Sequence, residues 1–129
     1  MATREDELSH EIIGAAIEVH RGLGPGLLES AYRTCLAHEL KQRGIAFETE
    51  KPVPVRYKGV DLDAGYRIDL LVEKKVVVEV KSVEALAAIH EAQLMTYLRL
   101  GGYRLGMLMN FNTLAMRKGI RRIVMGLEE

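Results

Sequence analysis

The segment from Gly65 to Ser82, GYRIDLLVEKKVVVEVKS, constrains the fold most, because it holds two runs of aliphatic residues that charged residues interrupt. Runs of this kind predict strands that are buried on at least one face, and Lys74-Lys75 between the runs predicts a hairpin. The second run, VVVEV, has no regular polar alternation, so we expect this strand to be covered on both faces. The segment therefore predicts the interior of a sheet.

Asp69, Glu79 and Lys81 are the charged residues that interrupt these runs. Because side chains alternate along a strand, Glu79 and Lys81 point to one face, while Val78 and Val80 point to the other. Two carboxylates beside an ammonium form a hard oxygen site for a divalent cation, with a cationic group left to act on water or phosphate. The alternative is a cross-strand ion pair on a solvated face, which contributes only ~0.2–1 kcal/mol. The lack of polar alternation favours the metal site.

A shared metal requires a particular hairpin register. A two-residue turn at Lys74-Lys75 would place Asp69 opposite Val80, so the two acids would point to opposite faces. A three-residue connection, with Val72 opposite Val76, places Asp69 opposite Glu79 instead, and so does a β-bulge between the turn and the acids. We predict one of these two arrangements.

The rest of the chain predicts three helices and three further β-segments. Helical spacing and glycine stops predict helices from about Glu5 to His20, Leu27 to Gly44 and Leu86 to Leu100. Ile45–Tyr57, with Pro52 and Pro54, predicts an edge strand or an extended arm. The apolar segment Tyr103–Phe111 predicts a central strand, and Ile120–Met125 predicts a short one. The predicted order is ααβββαββ, in one α/β domain over residues 1–129.

Charge and composition narrow the class of protein. The 129 residues carry 18 basic and 18 acidic side chains, which argues against coating of nucleic acid by bulk attraction. No acid lies between Glu91 and Glu128, and this basic stretch predicts either a phosphate contact or a solvated face; it contains Arg99, Arg104, Arg117, Lys118, Arg121 and Arg122. The single cysteine, Cys35, and the absence of a long apolar run predict a cytoplasmic protein without a membrane span.

Three features together resemble a known family. An acid on one strand, then Glu-x-Lys on the next, then a helix and a buried strand is the layout of the PD-(D/E)XK nuclease superfamily. The segment GLLESAY, with Gly26, Glu29 and Tyr32, looks like the signature of the GxxExxY family within that superfamily. HEAQLMTYLRLGGYRLGMLMNF, from His90 to Phe111, is also similar to that family, and the resemblance covers nearly the whole chain. Ile68 stands where the superfamily name has Pro.

The resemblance implies a restriction-endonuclease-like fold, a mixed sheet flanked by helices, and a phosphodiesterase that acts on DNA or RNA with Mg²⁺, or Mn²⁺ as the alternative ion. It implies that Asp69 and Glu79 bind the metal and that Lys81 positions or polarises the attacking water and steadies the phosphate. It also makes Glu29 an additional acid of the site and Gln93 an auxiliary residue on a helix. Mg²⁺ suits this set, since it keeps several waters and takes one or two carboxylates.

Each of these interpretations has a plainer alternative. Glu29 could serve only the dipole of its helix, which is worth ~0.3–1 kcal/mol. Gln93 shares a helix face with His90 and Tyr97, and a polar face often simply meets solvent. The whole chain could be a non-enzymatic nucleic-acid-binding or oligomerisation module with a residual nuclease site, or a hydrolase of small phosphoesters, because it has few aromatics for stacking bases. A chain this small is expected to need a homodimer to span a duplex.

Overall fold

The computed structural model describes residues 2–126. Its helices are α1 (Arg4–Leu23), α2 (Glu29–Gln42) and α3 (Ala88–Gly101), and a short 3-10 helix covers Met116–Gly119. Its strands are β1 (Phe47–Pro52), β2 (Val55–Tyr57), β3 (Val60–Leu62), β4 (Arg67–Val72), β5 (Val76–Lys81), β6 (Leu105–Asn110) and β7 (Ile120–Val124). Within the described range, no helix is both long enough and apolar enough to cross a bilayer.

Five strands form one mixed sheet in the order β1-β4-β5-β6-β7. The β5 and β6 strands are parallel and are joined through α3, whereas the other neighbours are antiparallel. The predicted positions of the strands are confirmed: β1 lies at one edge, where its Pro52 is tolerated, and β6 lies inside the sheet. Parallel β5 and β6 therefore end at the same edge, and Lys81 pairs with Asn110 there.

Both faces of the sheet are covered. The larger core lies between the sheet and the apolar faces of α1 and α2, and its helical members include Leu8, Ile12, Ala16, Val19, Tyr32, Leu36 and Leu40. A second cluster joins the other face to Leu94, Tyr97 and Leu98 of α3. Close approach of α3 depends on Gly106, where an added Cβ would lie 2.8 Å from the Leu94 side chain. The prediction that β5 is covered on both faces is confirmed.

The predicted order lacks two strands, β2 and β3, and the short 3-10 helix. The β2 and β3 strands pair with each other as a separate two-stranded hairpin, which begins inside Ile45–Tyr57, the segment expected to be one edge strand or an extended arm. Its turn lies at Lys58 and Gly59, whose backbones both have positive φ, 48° and 81°. Every residue of β3 is exposed, so the hairpin has no buried face. Apolar and polar residues alternate in both strands, but three residues per strand fall short of the about four to eight over which alternation predicts a strand.

The hairpin of β4 and β5 has the register that the shared site requires. Val72 pairs with Val76, Leu71 with Val77 and Leu70 with Val78, which confirms the three-residue connection. Glu73 and Lys74 in this connection have positive φ, 48° and 57°. Arg4 of α1 fixes the turn, because its guanidinium donates to both carboxylate oxygens of Glu73 at 2.9 and 2.6 Å. The register is the predicted one, and it brings Asp69 across from Glu79.

Candidate functional site

The strands β4 and β5 stop exchanging backbone hydrogen bonds beyond the Leu70–Val78 pair, where the two acids lie. The Asp69 amide donates to Oε2 of Glu79 at 2.8 Å, and the Val80 amide donates to Oδ2 of Asp69 at 2.8 Å. Each carboxylate thus accepts a hydrogen bond from a backbone amide of the opposite strand. The sheet opens at this point, and the two acids occupy the gap.

The backbone is also irregular on the other side of Asp69. Strand β1 pairs with β4 at Thr49–Leu70 and again at Lys51–Ile68, with no pair between them, and Glu50 in the gap has a φ of 51°. Side-chain alternation breaks here as well, since Leu70 joins the α1–α2 core whereas Ile68 joins the α3 cluster. Such an irregularity re-aims a side chain, as bulges beside active sites do. Asp69 therefore points into the gap.

Glu79 is the most perturbed acid of the site. Only 5% of its surface is exposed. Burial and the neighbouring charge of Asp69 raise its pKa to about 8, and Glu29 adds to the rise. The hydrogen bond from the Asp69 amide and the charge of Lys81 act in the opposite direction without offsetting it. The side chain is therefore largely protonated at neutral pH, and a bound cation would favour its ionised form.

Two cations approach the acids from different elements. Lys81, the last residue of β5, is half-buried and interacts with the charge of Glu79. Arg33 of α2 lies with its Nη1 3.4 Å from Oδ1 of Asp69. Arg33 was not among the predicted site residues, although it lies four residues after Glu29 and so on the same helix face. That spacing is the signal that could have identified it.

Glu29 begins α2, and the loop before the helix holds it there. Tyr32, fully buried, stacks on Phe111 with 4.8 Å between ring centroids. Its hydroxyl donates to the Gly24 carbonyl at 2.6 Å and accepts from the Leu27 amide at 3.1 Å. Within GLLESAY, the tyrosine is thus a structural anchor that places the glutamate at the site.

A hydrogen bond also joins this loop to the end of β5. The Ser82 hydroxyl donates to the Leu27 carbonyl at 2.6 Å. Buried Asn110 holds the next residue, since its amide group donates to the Val83 carbonyl and its Oδ1 accepts from the Val83 amide. These hydrogen bonds fix the chain directly after Lys81, and neither Asn110 nor Ser82 was predicted from the sequence.

Helix α3 contributes an aromatic side chain to the site. Tyr97 is only 6% exposed. Burial raises the pKa of its hydroxyl, and the charges of Glu79 and Asp69 add to that rise, so the ring lies beside the acids. Gln93 precedes it by four residues on the same face and is half-buried, and its side chain makes no hydrogen bond within residues 2–126. His90 instead accepts from the Ala87 amide at 3.0 Å and caps the helix.

Part of the basic C-terminal stretch is paired within the protein. Arg122 donates to Asp6 of α1, and Nε of Arg121 lies 3.8 Å from Oε1 of Glu91 on α3. These two side chains thus help to hold β7 against the helices.

The donor set suits a hard divalent cation held by two carboxylates. Across residues 2–126, no group of three or more His, Cys, Asp or Glu side chains is arranged to hold one metal ion. Glu29 therefore lies near the pair without completing a three-acid ligand set. Two carboxylates are enough for Mg²⁺, which retains several of its waters. A cation at this point would also compensate the charge that burial disfavours on Glu79.

Comparison with known proteins gives one match. A family model described as the PD-(D/E)XK nuclease superfamily matches residues 6–123. No curated protein and no solved structure matches the chain. The matched range includes α1 from its first turn, all of the site residues described above and most of β7.

Proposed function

This chain belongs to the PD-(D/E)XK nuclease superfamily, and we propose that it is a metal-dependent phosphodiesterase that cleaves nucleic acid. Its mixed sheet flanked by helices is consistent with a restriction-endonuclease-like fold. The observation that carries the proposal is the opening between β4 and β5, where Asp69 and Glu79 meet beside Lys81. Mg²⁺ is the expected ion, and Mn²⁺ is the alternative.

Each residue has a role that follows from its position. Asp69 and Glu79 would hold the metal, which when bound lowers the pKa of water and neutralises charge on a phosphodiester. Lys81 supplies a compact cation on the same strand face as Glu79, where it would orient the attacking water and the phosphate. Glu29 adds a carboxylate from the start of α2, and Gln93 would contact the substrate from α3.

Within the superfamily, we assign the chain to the GxxExxY family. The structure offers a physical reason for each fixed position of GLLESAY. Gly26 has a φ of 98°, which favours glycine, and Tyr32 anchors the loop. Glu29 lies close enough to Glu79 to raise the pKa of that carboxyl. The motif thus builds the side of the site that faces α2.

A cleavage assay tests the proposal. Wild-type protein should cut at least one member of a panel of DNA and RNA substrates, single-stranded, duplex and branched, in Mg²⁺ or Mn²⁺ and not in chelator. Lys81→Ala should abolish cleavage, and Asp69→Ala should do the same without unfolding the chain. Lys41→Ala is the matched control, because Lys41 is an exposed lysine in the last turn of α2. Its activity should equal that of the wild type.

The leading alternative is a non-enzymatic module with a residual site. It gains some support from Asp69 and Glu79, since one oxygen of each already accepts a backbone hydrogen bond. Cleavage that is undiminished in Lys81→Ala would contradict the proposed mechanism. Absence of cleavage in every metal and on every substrate would favour the alternative. In either case a homodimer is expected on a duplex, which sedimentation with and without DNA would measure.

A further inference from the structure

An exposed aromatic ring lies next to the acids without a structural reason to be exposed. Tyr66 directly precedes β4, three residues before Asp69, and 46% of its surface meets solvent. Three residues of extended chain cover ~10 Å. A group that contacts this ring would therefore be close to a phosphate at Asp69 and Glu79.

The ring is held in place although it is exposed. Its centroid lies 6.2 Å from that of Tyr97 at an interplanar angle of 57°, which is a tilted aromatic contact. The Tyr66 carbonyl accepts from the Val53 amide at 3.0 Å and from Nη1 of Arg67 at 2.9 Å. Tyr97 thus supports the ring from the side of α3, and the backbone that carries it is fixed. A preorganised aromatic surface loses little entropy when it stacks against a ligand.

The surroundings of Tyr66 favour an anionic partner with a flat apolar face. Lys81 and Arg33 flank the nearby acids, and the carboxylate of Asp63 is paired with Arg67 at 3.4 Å. Aromatic rings beside cations bind unpaired bases by stacking while the cations meet the backbone. A base inside a duplex has its faces covered by its neighbours and cannot stack in this way.

We infer that Tyr66 is a stacking platform for an unpaired base of single-stranded nucleic acid, next to the phosphate that the site holds. The inference rests on the proposed function and specifies its substrate class as single-stranded DNA or RNA, including the unpaired part of a branched substrate. Tyr66 acts here as a binding residue and takes no part in the chemistry.

Binding measured without cleavage tests this inference. Fluorescence anisotropy with labelled oligodeoxythymidylate, oligouridylate and a DNA duplex of equal length would be recorded on Lys81→Ala protein, so that no probe is cut. Adding Tyr66→Ala should raise the Kd for the single strands by about fivefold to a hundredfold, the effect of losing one base–aromatic stack. Tyr66→Phe keeps the ring and should bind as the parent does, and Kd for the duplex should not change with either substitution.

Tyr57→Ala is the matched control. Tyr57 is 63% exposed on β2, but Nζ of Lys58 lies 5.4 Å from its ring centroid and covers one face. We expect less than a twofold change in Kd for this variant. Unchanged single-strand binding in Tyr66→Ala, equal losses in Tyr66→Ala and Tyr57→Ala, or no binding of single strands by the parent would overturn the inference. Binding that depends on Tyr66 in a protein that never cleaves would contradict only the nuclease proposal.

Discussion

The buried Glu79 carboxyl should make the metal-free protein less stable as the pH rises. The pKa of Glu79 is about 8 in the folded protein and 4.5 ordinarily. Between these values the folded chain keeps a proton that the unfolded chain releases, so raising the pH favours unfolding. The contribution of Glu79 to the free energy of unfolding is highest below pH ~4.5. It falls as the pH rises and is fully lost by pH ~8.

The size of the effect follows from the same pKa values. One pKa unit corresponds to about 1.4 kcal/mol, so Glu79 should lower the free energy of unfolding by roughly 3 kcal/mol between pH 4.5 and pH 7. Glu79→Gln stays uncharged and keeps an oxygen that can accept from the Asp69 amide. The variant should match the wild type at pH 5 to within ~1 kcal/mol and exceed it by roughly 3 kcal/mol at pH 7, since only the unfolded wild type is stabilised by release of this proton.

Urea denaturation in chelator from pH 5 to pH 9 measures this difference. Subtracting the wild-type curve from that of the variant cancels the other titrating groups. Glu84→Gln serves as control, because Glu84 is exposed in the loop after β5, and its curve should run parallel to the wild type. Parallel curves for Glu79→Gln as well, or a variant less stable than the wild type at pH 8, would refute the reasoning.

Three further predictions concern the metal and the scaffold. Mg²⁺ or Mn²⁺ at a hundredfold excess over Kd should stabilise the wild type by about 2.7 kcal/mol and so raise its melting temperature. An equal rise in Asp69→Ala would exclude the acid pair as the metal ligands. Arg33→Gln removes a cation that competes with the metal for Asp69. Because such ion pairs contribute ~0.2–1 kcal/mol, calorimetry should show up to about fivefold tighter Mg²⁺ binding. Weaker binding would contradict this role of Arg33. Tyr32→Phe leaves the Gly24 carbonyl and the Leu27 amide without their partner, which should lower the free energy of unfolding by about 1–3 kcal/mol, as measured by denaturation. No loss would mean that the hydroxyl does not anchor the loop.

The sequence predicts the parts of the fold that have a buried face. Periodicity located α1, α2 and α3 to within a few residues, and the two aliphatic runs located β4 and β5. The condition that Asp69 and Glu79 share one face predicted the register of these strands. The hairpin of β2 and β3, which lies outside the core, was missed because each of its strands has only three residues. Its apolar residues do alternate with polar ones, but over fewer residues than the about four to eight that predict a strand.

The site was predicted only in part. Asp69, Glu79 and Lys81 stand out because charges in aliphatic strands are rare, whereas Arg33 lies 36 residues from Asp69 and only the packing of α2 brings them together. The irregular backbone at Glu50 was beyond prediction, since a glutamate with positive φ is uncommon and nothing in its neighbours indicates it.

The opening of the sheet explains why two acids can be placed together inside an aliphatic layer. A regular ladder pairs backbone amides with backbone carbonyls, which leaves no amide for a side-chain carboxylate. The gap instead gives each carboxylate one amide, at 2.8 Å in both cases. These bonds and Lys81 still leave the pKa of Glu79 near 8, so the protein alone does not offset the burial of both charges. The remaining unfavourable energy is what a bound divalent cation would relieve, and for that reason the same geometry that weakens the metal-free fold should strengthen metal binding.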